Sequence, residues 1–392
     1  MSRQISTAAA TITALCLAGC GVRAPEPRDL GELFNQAALE AEPAEETRWR
    51  KATATRPFAF PRDHGAHNDF RIEWWYYTGN LTAEDGRRFG YQLTFFRTGL
   101  NYEPVSSSRW AVRDLYTAHF AVADLTAKRH RFAERNRRAG INEAGAEADR
   151  LCVWNGAWRA EQEGETHTLW AASDGFAISL DLTPTKGAVL HGDGGLSQKG
   201  PAEGNASYYY TMPRMASVGT VTVEGEQFRV TGESWMDHEF STSFLEAGQL
   251  GWDWFSIQLD NGAELMLYQM RREGGQADDY SSGTYVTTEG EPIHLRREDF
   301  VIEPQTTTWR SPETDAEYPQ SWRLLVPKLC LELSVASAFG AQEMATGATT
   351  GIAYWEGVVD TTGSIDGNKI NGRGFVELTG YSGIGLGSLL GD

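Results

Sequence analysis

Trp235-Met236-Asp237-His238-Glu239-Phe240 sets three ionisable side chains between large apolar ones. An unpaired charge in such a place is costly, so each group must be paired, protonated or put to use. On an extended strand Trp235, Asp237 and Glu239 share one face, while Met236, His238 and Phe240 share the other. Two carboxyls spaced by two can push one pKa upward, which keeps a buried acid protonated for general acid catalysis. Such an acid could protonate an apolar alkene, with aromatic faces such as Trp252 and Trp254 stabilising the carbocation. The competing reading is structural: Asp237 and Glu239 accept hydrogen bonds from indole or arginine groups, with His238 a satisfied partner.

A second polar group lies upstream, where His64 and His67 stand among Asp63, Asp69 and Glu73. Its spacing matches no zinc pattern, and neither CxxC nor HExxH accompanies it, so no metal is expected. The histidines are expected to cap a loop entry and to hydrogen-bond across a barrel mouth. No Gly-x-Ser-x-Gly elbow and no strand-to-helix glycine motif occurs. Hydrolase, flavin and nicotinamide chemistry therefore lack support, and no cofactor is expected.

The elements that must carry these residues read as strands. Glu73-Trp74-Trp75-Tyr76-Tyr77-Thr78, then Asp85-Gly86, then Phe89, Tyr91, Leu93 and Phe95 at a spacing of two make a hairpin. The pattern returns at Trp252-Asp253-Trp254-Phe255-Ser256-Ile257, with Asn261-Gly262 as the turn and Ala263, Leu265 and Leu267 following. Both hairpins end on arginine, at Arg97 and at Arg271-Arg272, which suggests a diverged duplication. Further strands are expected at Tyr116 to Val122, Phe176 to Leu182, Phe228 to Trp235, Ser321 to Val326 and Phe375 to Leu378. The Gly-rich stretch Gly187 to Pro201 reads as a long surface loop. About half of Trp74, Trp75, Tyr76 and Tyr77 should fill core, since they alternate across two faces.

Four blocks carry a family resemblance. They are Phe60 to His67 leading into Glu73-Trp74-Trp75-Tyr76-Tyr77-Thr78-Gly79; Gly232 to Glu239; Gly251 to Phe255; and Gly374 to Tyr381. Together they resemble the AttH-like family that includes carotenoid 1,2-hydratase (hydroxyneurosporene synthase), from about Pro57 to Gly383. The resemblance implies an all-β chain of two tandem lipocalin-like β-barrel domains. It also implies cofactor-free addition of water to an isoprenoid double bond as one activity of the family. In the hydratases an Asp-His-Asn block precedes a Tyr-x-Asp whose aspartate donates the proton. The corresponding segments are Asp237-His238-Glu239 and Tyr268-Gln269-Met270. Met270 cannot protonate an alkene, so Asp237 or Glu239 is the nearest candidate in sequence.

The N-terminus resembles a bacterial lipoprotein signal. Arg3 precedes the apolar run Ala8 to Ala18, and Leu17-Ala18-Gly19-Cys20 follows as a lipobox. The run is too short to span a bilayer, so residues 1–19 read as a cleaved signal and Cys20 as the lipidated residue. Gly21 after the cysteine points to an outer-membrane lipoprotein facing the periplasm. Residues 20–55 read as a tether with one short helix over Asp29 to Leu39, residues 56–216 as the first domain and 217–392 as the second.

The 392 residues suit two domains, and 41% apolar residues, 13 Trp and 42 Gly suit short strands and tight turns. With 35 Lys+Arg against 53 Asp+Glu the formal charge is −18, and no basic cluster forms a phosphate-binding stripe. Nucleic acid is excluded as a partner. Cys152 and Cys330 are expected as two buried thiols in preference to a bridge. The expected partner is a hydrophobic small molecule, isoprenoid or lipid-like, with a transport complex as a recipient. Trp75, Tyr77, Trp235, Trp252, Trp254 and Tyr268 are its candidate contacts inside a barrel.

Overall fold

The computed structural model describes residues 48–103, 106, 108, 110–243 and 245–383. Cys20, the expected signal, and most of the tether with its short helix lie outside them.

Alternating apolar residues and frequent Gly turns make strands, and the only regular helix among the described residues is three short 3-10 turns. The first strands are β1 (Ile72–Ala83), β2 (Arg88–Gly99), β3 (Asp114–Asp124), β4 (Arg129–Arg138), β5 (Ala144–Ala146) and β6 (Cys152–Asn155). There follow β7 (Trp158–Glu163), β8 (Thr166–Ser173), β9 (Phe176–Pro184), β10 (Val189–Leu190), β11 (Leu196–Gln198), β12 (Ala206–Val223) and β13 (Glu226–Ser241). The second group opens with β14 (Gln249–Leu259), β15 (Glu264–Arg272), β16 (Ser282–Val286), β17 (Pro292–Arg296), β18 (Val301–Pro304) and β19 (Thr308–Arg310). It closes with β20 (Glu317–Pro319), β21 (Ser321–Val326), β22 (Leu331–Ser337), β23 (Glu343–Thr346), β24 (Ile352–Ile365) and β25 (Asn368–Thr379).

Strands β1 to β13 form one antiparallel sheet, ordered β4-β3-β2-β1-β13-β12-β9-β8-β7-β6-β5 with β10 and β11 added on β12. Its edges β4 and β5 are consecutive in the chain and come into contact, so the sheet curls into a nearly closed barrel. The other large sheet is ordered β17-β16-β15-β14-β25-β24-β22-β21-β18, with β23 on β24. Its edges are again consecutive, joined by the 3-10 turn Arg297–Asp299. In both sheets the first hairpin sits beside the last strand: β2-β1-β13-β12 corresponds to β15-β14-β25-β24. The Asp85-Gly86 and Asn261-Gly262 hairpins thus hold equivalent places, as the duplicated pattern implies. Glycine permits the turn in each, with φ of 86° at Gly86 and 87° at Gly262.

The border between the halves lies between Ser241 and Gln249, not at 216/217. Residue 216 falls inside β12, which continues to a tight turn at Glu224-Gly225 and returns as β13 to pair with β1. The Asp237-His238-Glu239 strand therefore completes the first sheet. The Gly-rich stretch is also not a surface loop. Its β10 and β11 pair with β12, His191 and Ser197 are buried, and both reach the second sheet. His191 Nδ1 lies 2.8 Å from Thr284 Oγ1, and Ser197 Oγ lies 3.0 Å from Tyr268 OH.

Each sheet fills its own interior with side chains. Trp75, Tyr77, Phe89, Leu93, Phe95, Phe120 and Trp158 pack inside the first, and Phe255, Leu265, Trp322, Leu333 and Trp355 inside the second. A third cluster joins the two, with Tyr76, Tyr209 and Trp235 against Trp254, Met266, Tyr268 and Val358. Cys152 is buried but Cys330 is exposed in a left-handed turn, and both thiols are free. Strand β4 does hold a basic stripe that the charge totals conceal. Its charge is taken up locally, by Glu224 on Arg129 and Arg131, by Glu143 on Arg137, and by the Trp158 ring 4.1 Å from Arg135.

Candidate functional site

Between the two sheets lies a cavity of about 280 Å³. Tyr76 of β1, Thr94 of β2, Tyr209 of β12, and Asp237 and Glu239 of β13 line it from the first sheet. Trp252 and Trp254 of β14, Tyr268 and Met270 of β15, Tyr354 and Glu356 of β24, and Glu377 of β25 line it from the second. The site is thus outside both barrel interiors, where ligand contacts were expected. The physical reason is that the aromatic side chains pointing inward leave those interiors packed.

Strand alternation distributes the expected residues. Asp237 and Glu239 face the cavity, whereas His238 points the other way, toward Trp75 and Phe240. Trp252, Trp254 and Tyr268 line the wall, and Trp235 stands directly behind it. Trp75 and Tyr77 do not: both are fully buried in the first core, held by Trp75 Nε1–H to His64 O (3.0 Å) and a 3.1 Å Tyr77 OH to His167 contact.

Asp237 accepts from the Trp235 indole N–H at 2.7 Å and from Tyr209 OH at 2.6 Å, and Trp254 Nε1–H donates onward to Tyr209 OH at 3.1 Å. Burial raises its carboxyl to about 7, against the Tyr209, Trp235 and Thr211 hydrogen bonds that lower it; Glu239 adds to the rise. Glu239 pairs at 3.2 Å with the ammonium of Lys199, the residue after β11 in the stretch that reaches the second sheet. Burial pulls Lys199 down, but Glu239 and Tyr268 outweigh it and hold the ammonium above its ordinary value. That cation also lies 4.1 Å from the centre of the Tyr268 ring.

Two further acids complete the wall, and neither was singled out in the sequence. Glu356 and Glu377 face each other directly across β24 and β25. Tyr76 OH donates to Glu356 Oε2 at 2.9 Å, and Trp252 Nε1–H to Glu377 Oε2 at 2.8 Å. Burial raises Glu377 to about 7, with the Asp237 and Glu239 charges adding to it. Burial and then Glu377 push Glu356 well above the carboxylate range. The available signal was an acid within doubly apolar runs, Tyr354-Trp355-Glu356 and Phe375-Val376-Glu377-Leu378. In strands buried on both faces an acid has to sit inside something.

The upstream histidines serve a separate network on the far side of β1. Glu73 Oε1 takes contacts from His67 Nδ1 at 2.8 Å and His238 Nε2 at 2.9 Å, while Arg97 Nε donates to Oε2 at 3.0 Å. His67 Nε2 meets Asp63 at 3.1 Å, and Tyr210 OH joins His238 to His64. Arg97 also bonds Asp114 and the carbonyls of His67 and Phe70, so its guanidinium is satisfied. Burial opposes ionisation of Glu73, but Arg97, His238 and His67 hold it well below the usual range. His67, Glu73 and His238 could converge on a cation, their ligand atoms lying within 4.8 Å of one another. In the structure both histidines and Arg97 converge on the Glu73 carboxylate, and the second hairpin repeats the arginine–carboxylate contact with Arg271 Nε on Asp253 at 2.9 Å.

Chemically, the cavity combines aromatic walls with carboxyls that titrate near neutrality and one ion-paired carboxylate. It can present a proton, a carboxylate base and cation-stabilising rings to one apolar molecule.

A family model described as AttH-like matches residues 51–381. The crystal structure of an AttH protein from Nitrosomonas europaea superposes with a TM-score of 0.76 at 34% identity, over 85% of this chain and 99% of that one. The kievitone hydratase structure from Nectria haematococca gives 0.65 at 14% identity, over 86% and 99%. In sequence, a kievitone hydratase from Fusarium solani subsp. phaseoli is 22% identical over 226 residues, 53% of this chain and 58% of that protein. The four sequence blocks, the paired sheets and the match over nearly all described residues agree: this chain belongs to the AttH-like family.

Proposed function

We propose that the protein takes up a hydrophobic small molecule between its two sheets and adds water across one of its carbon–carbon double bonds without a cofactor. The carrying observation is Asp237, a carboxyl in the wall of an aromatic cavity with no cation paired to it among the described residues. In the protonated form it donates to an alkene carbon, forming a C–H bond and leaving a carbocation on the neighbouring carbon. The faces of Trp254, Tyr76 and Trp252 stabilise that charge. Water then adds to the cation, and Glu239, oriented by Lys199, accepts the proton it releases. The net change is one water added, with Asp237 and Glu239 reset by proton exchange with solvent. Met270 shares the wall and contributes packing only. The kinship with hydratases supports this reading, as does the position of Asp237 on the cavity face.

A second reading, a carrier that hands the molecule on, is favoured by the bonding of both Asp237 oxygens to Tyr209 and Trp235. On either reading, a lipid on Cys20 keeps the cavity near the membrane from which an apolar ligand comes.

Asp237→Asn separates the two. Tyr209 can accept from the new amide while Trp235 donates to its oxygen, so the melt should shift by no more than a few degrees. Lipid extract is incubated with protein in water labelled with heavy oxygen, and label in the apolar products is read by mass spectrometry. Wild type should incorporate label, and the variant roughly a hundredfold less or lower. Lipids that copurify with a protein giving no incorporation would refute hydration and leave the carrier.

A further inference from the structure

Three polar atoms in residues lining the cavity are buried without a hydrogen-bond partner among the described residues: Glu356 Oε1, Gln92 Oε1 and Ser207 Oγ. A buried polar atom left unpaired is costly, so three on one cavity mark walls shaped for a polar group. They come from both sheets, on β24, β2 and β12.

Glu356 is the decisive one. It is 2% exposed, and its Oε2 already accepts from Tyr76 OH. Glu377 stands directly opposite it, and no basic side chain among the described residues pairs with either. Two opposed carboxyls without a cation do not both ionise, so the pair retains a proton. Burial drives Glu356 further above the carboxylate range than Glu377, so the proton rests on Glu356, and because its Oε2 accepts, on Oε1, the atom with no partner. A carboxylic acid hydroxyl then lines the cavity with its hydrogen unspent.

We infer that the cavity selects an apolar molecule bearing an oxygen, a hydroxyl or carbonyl that accepts a hydrogen bond from Glu356 Oε1, over a plain hydrocarbon of the same skeleton. Gln92 and Ser207 stand toward opposite ends of the same wall, Gln92 level with Thr78 of β1 and Ser207 level with Ile72. A hydrocarbon leaves Glu356 Oε1 unpaired, and a site built to bond an oxygen rejects the analogue that lacks it. The inference rests on the proposed ligand site but not on hydration there.

Quenching of tryptophan fluorescence by farnesol and by farnesene, its hydrocarbon counterpart, tests it on the full chain. Wild type should prefer farnesol by roughly tenfold or more, the scale of one buried hydrogen bond. Glu356→Gln keeps a donor and should retain most of that ratio, whereas Glu356→Leu should bring it to about one. Equal wild-type affinities, or an unchanged ratio in Glu356→Leu, would overturn the inference while leaving the proposed function intact. Binding of neither probe would overturn both. Should Glu356→Leu fail to fold, the wild-type ratio still decides.

Discussion

Asp237 and Glu73 are buried carboxyls on neighbouring strands, and their surroundings drive them in opposite directions. Glu73 meets Arg97 and two histidines and stays ionised; Asp237 meets only neutral donors and the Glu239 charge, and rises to about 7. This has a consequence for stability. Unfolded, Asp237 and Glu377 release their protons near 3.8 and 4.5, whereas folded they hold them to about 7. Their contribution is complete below the unfolded values and declines as pH rises to about 7. Across that window Asp237→Asn should flatten the fall of unfolding free energy by about 1 kcal/mol per pH unit. Urea unfolding at a series of pH values checks this, and a slope equal to wild type would contradict the burial argument.

At the scale of elements, the hairpins and last strands must bring two sheets close enough to share one cavity. Gly90 on β2 shows how close: a Cβ there would lie 2.1 Å from Val358 Cγ2 and 3.2 Å from the Phe375 ring. The glycine is needed for sheet-to-sheet approach, since a side chain at Gly90 would point into the second sheet. Gly90→Val should destabilise by about 1–3 kcal/mol through overpacking. It should also weaken probe binding, because the β2 wall is displaced from β24. A denaturant melt and a fluorescence titration read the two effects, and a variant matching wild type in both would mean that the sheets adjust freely.

The whole molecule depends on ionic contacts between its halves as well as apolar ones. Glu264 of β15 is fully buried and accepts from Lys186 Nζ at 2.7 Å and Arg214 Nε at 2.6 Å, both from the first half of the chain. Arg88 adds a two-pronged contact to Asp360, at 3.0 and 2.8 Å. Glu264→Gln leaves Lys186 without its anion and Arg214 with Glu233 alone. It should cost about 2–3 kcal/mol, below the value for a wholly buried pair because both cations keep some solvent. Calorimetry should show the single transition broaden or split as the halves uncouple. An unchanged, single sharp transition would show that the Glu264 contacts do not couple the halves.

Much of this molecule was legible in its sequence because strand chemistry is local. Alternation placed the two hairpins, and it separated Asp237 and Glu239 from His238, since a period of two allows no other outcome. Asp85-Gly86 and Asn261-Gly262 marked their turns through glycine's access to positive φ. The border between halves was misplaced because β12 and β13 turn at Glu224-Gly225 only to meet β1, far back in the chain. Trp75 and Trp254 are both tryptophans on first strands, yet one fills a core and the other lines a cavity. Alternation says that faces differ; which face meets the other sheet depends on how each sheet curls. The Glu356 and Glu377 pair, the Lys199–Glu239 ion pair and the cavity between the sheets arise from contacts between residues distant in sequence. Their burial, and with it the chemistry of their protons, was decided only when the two sheets packed face to face.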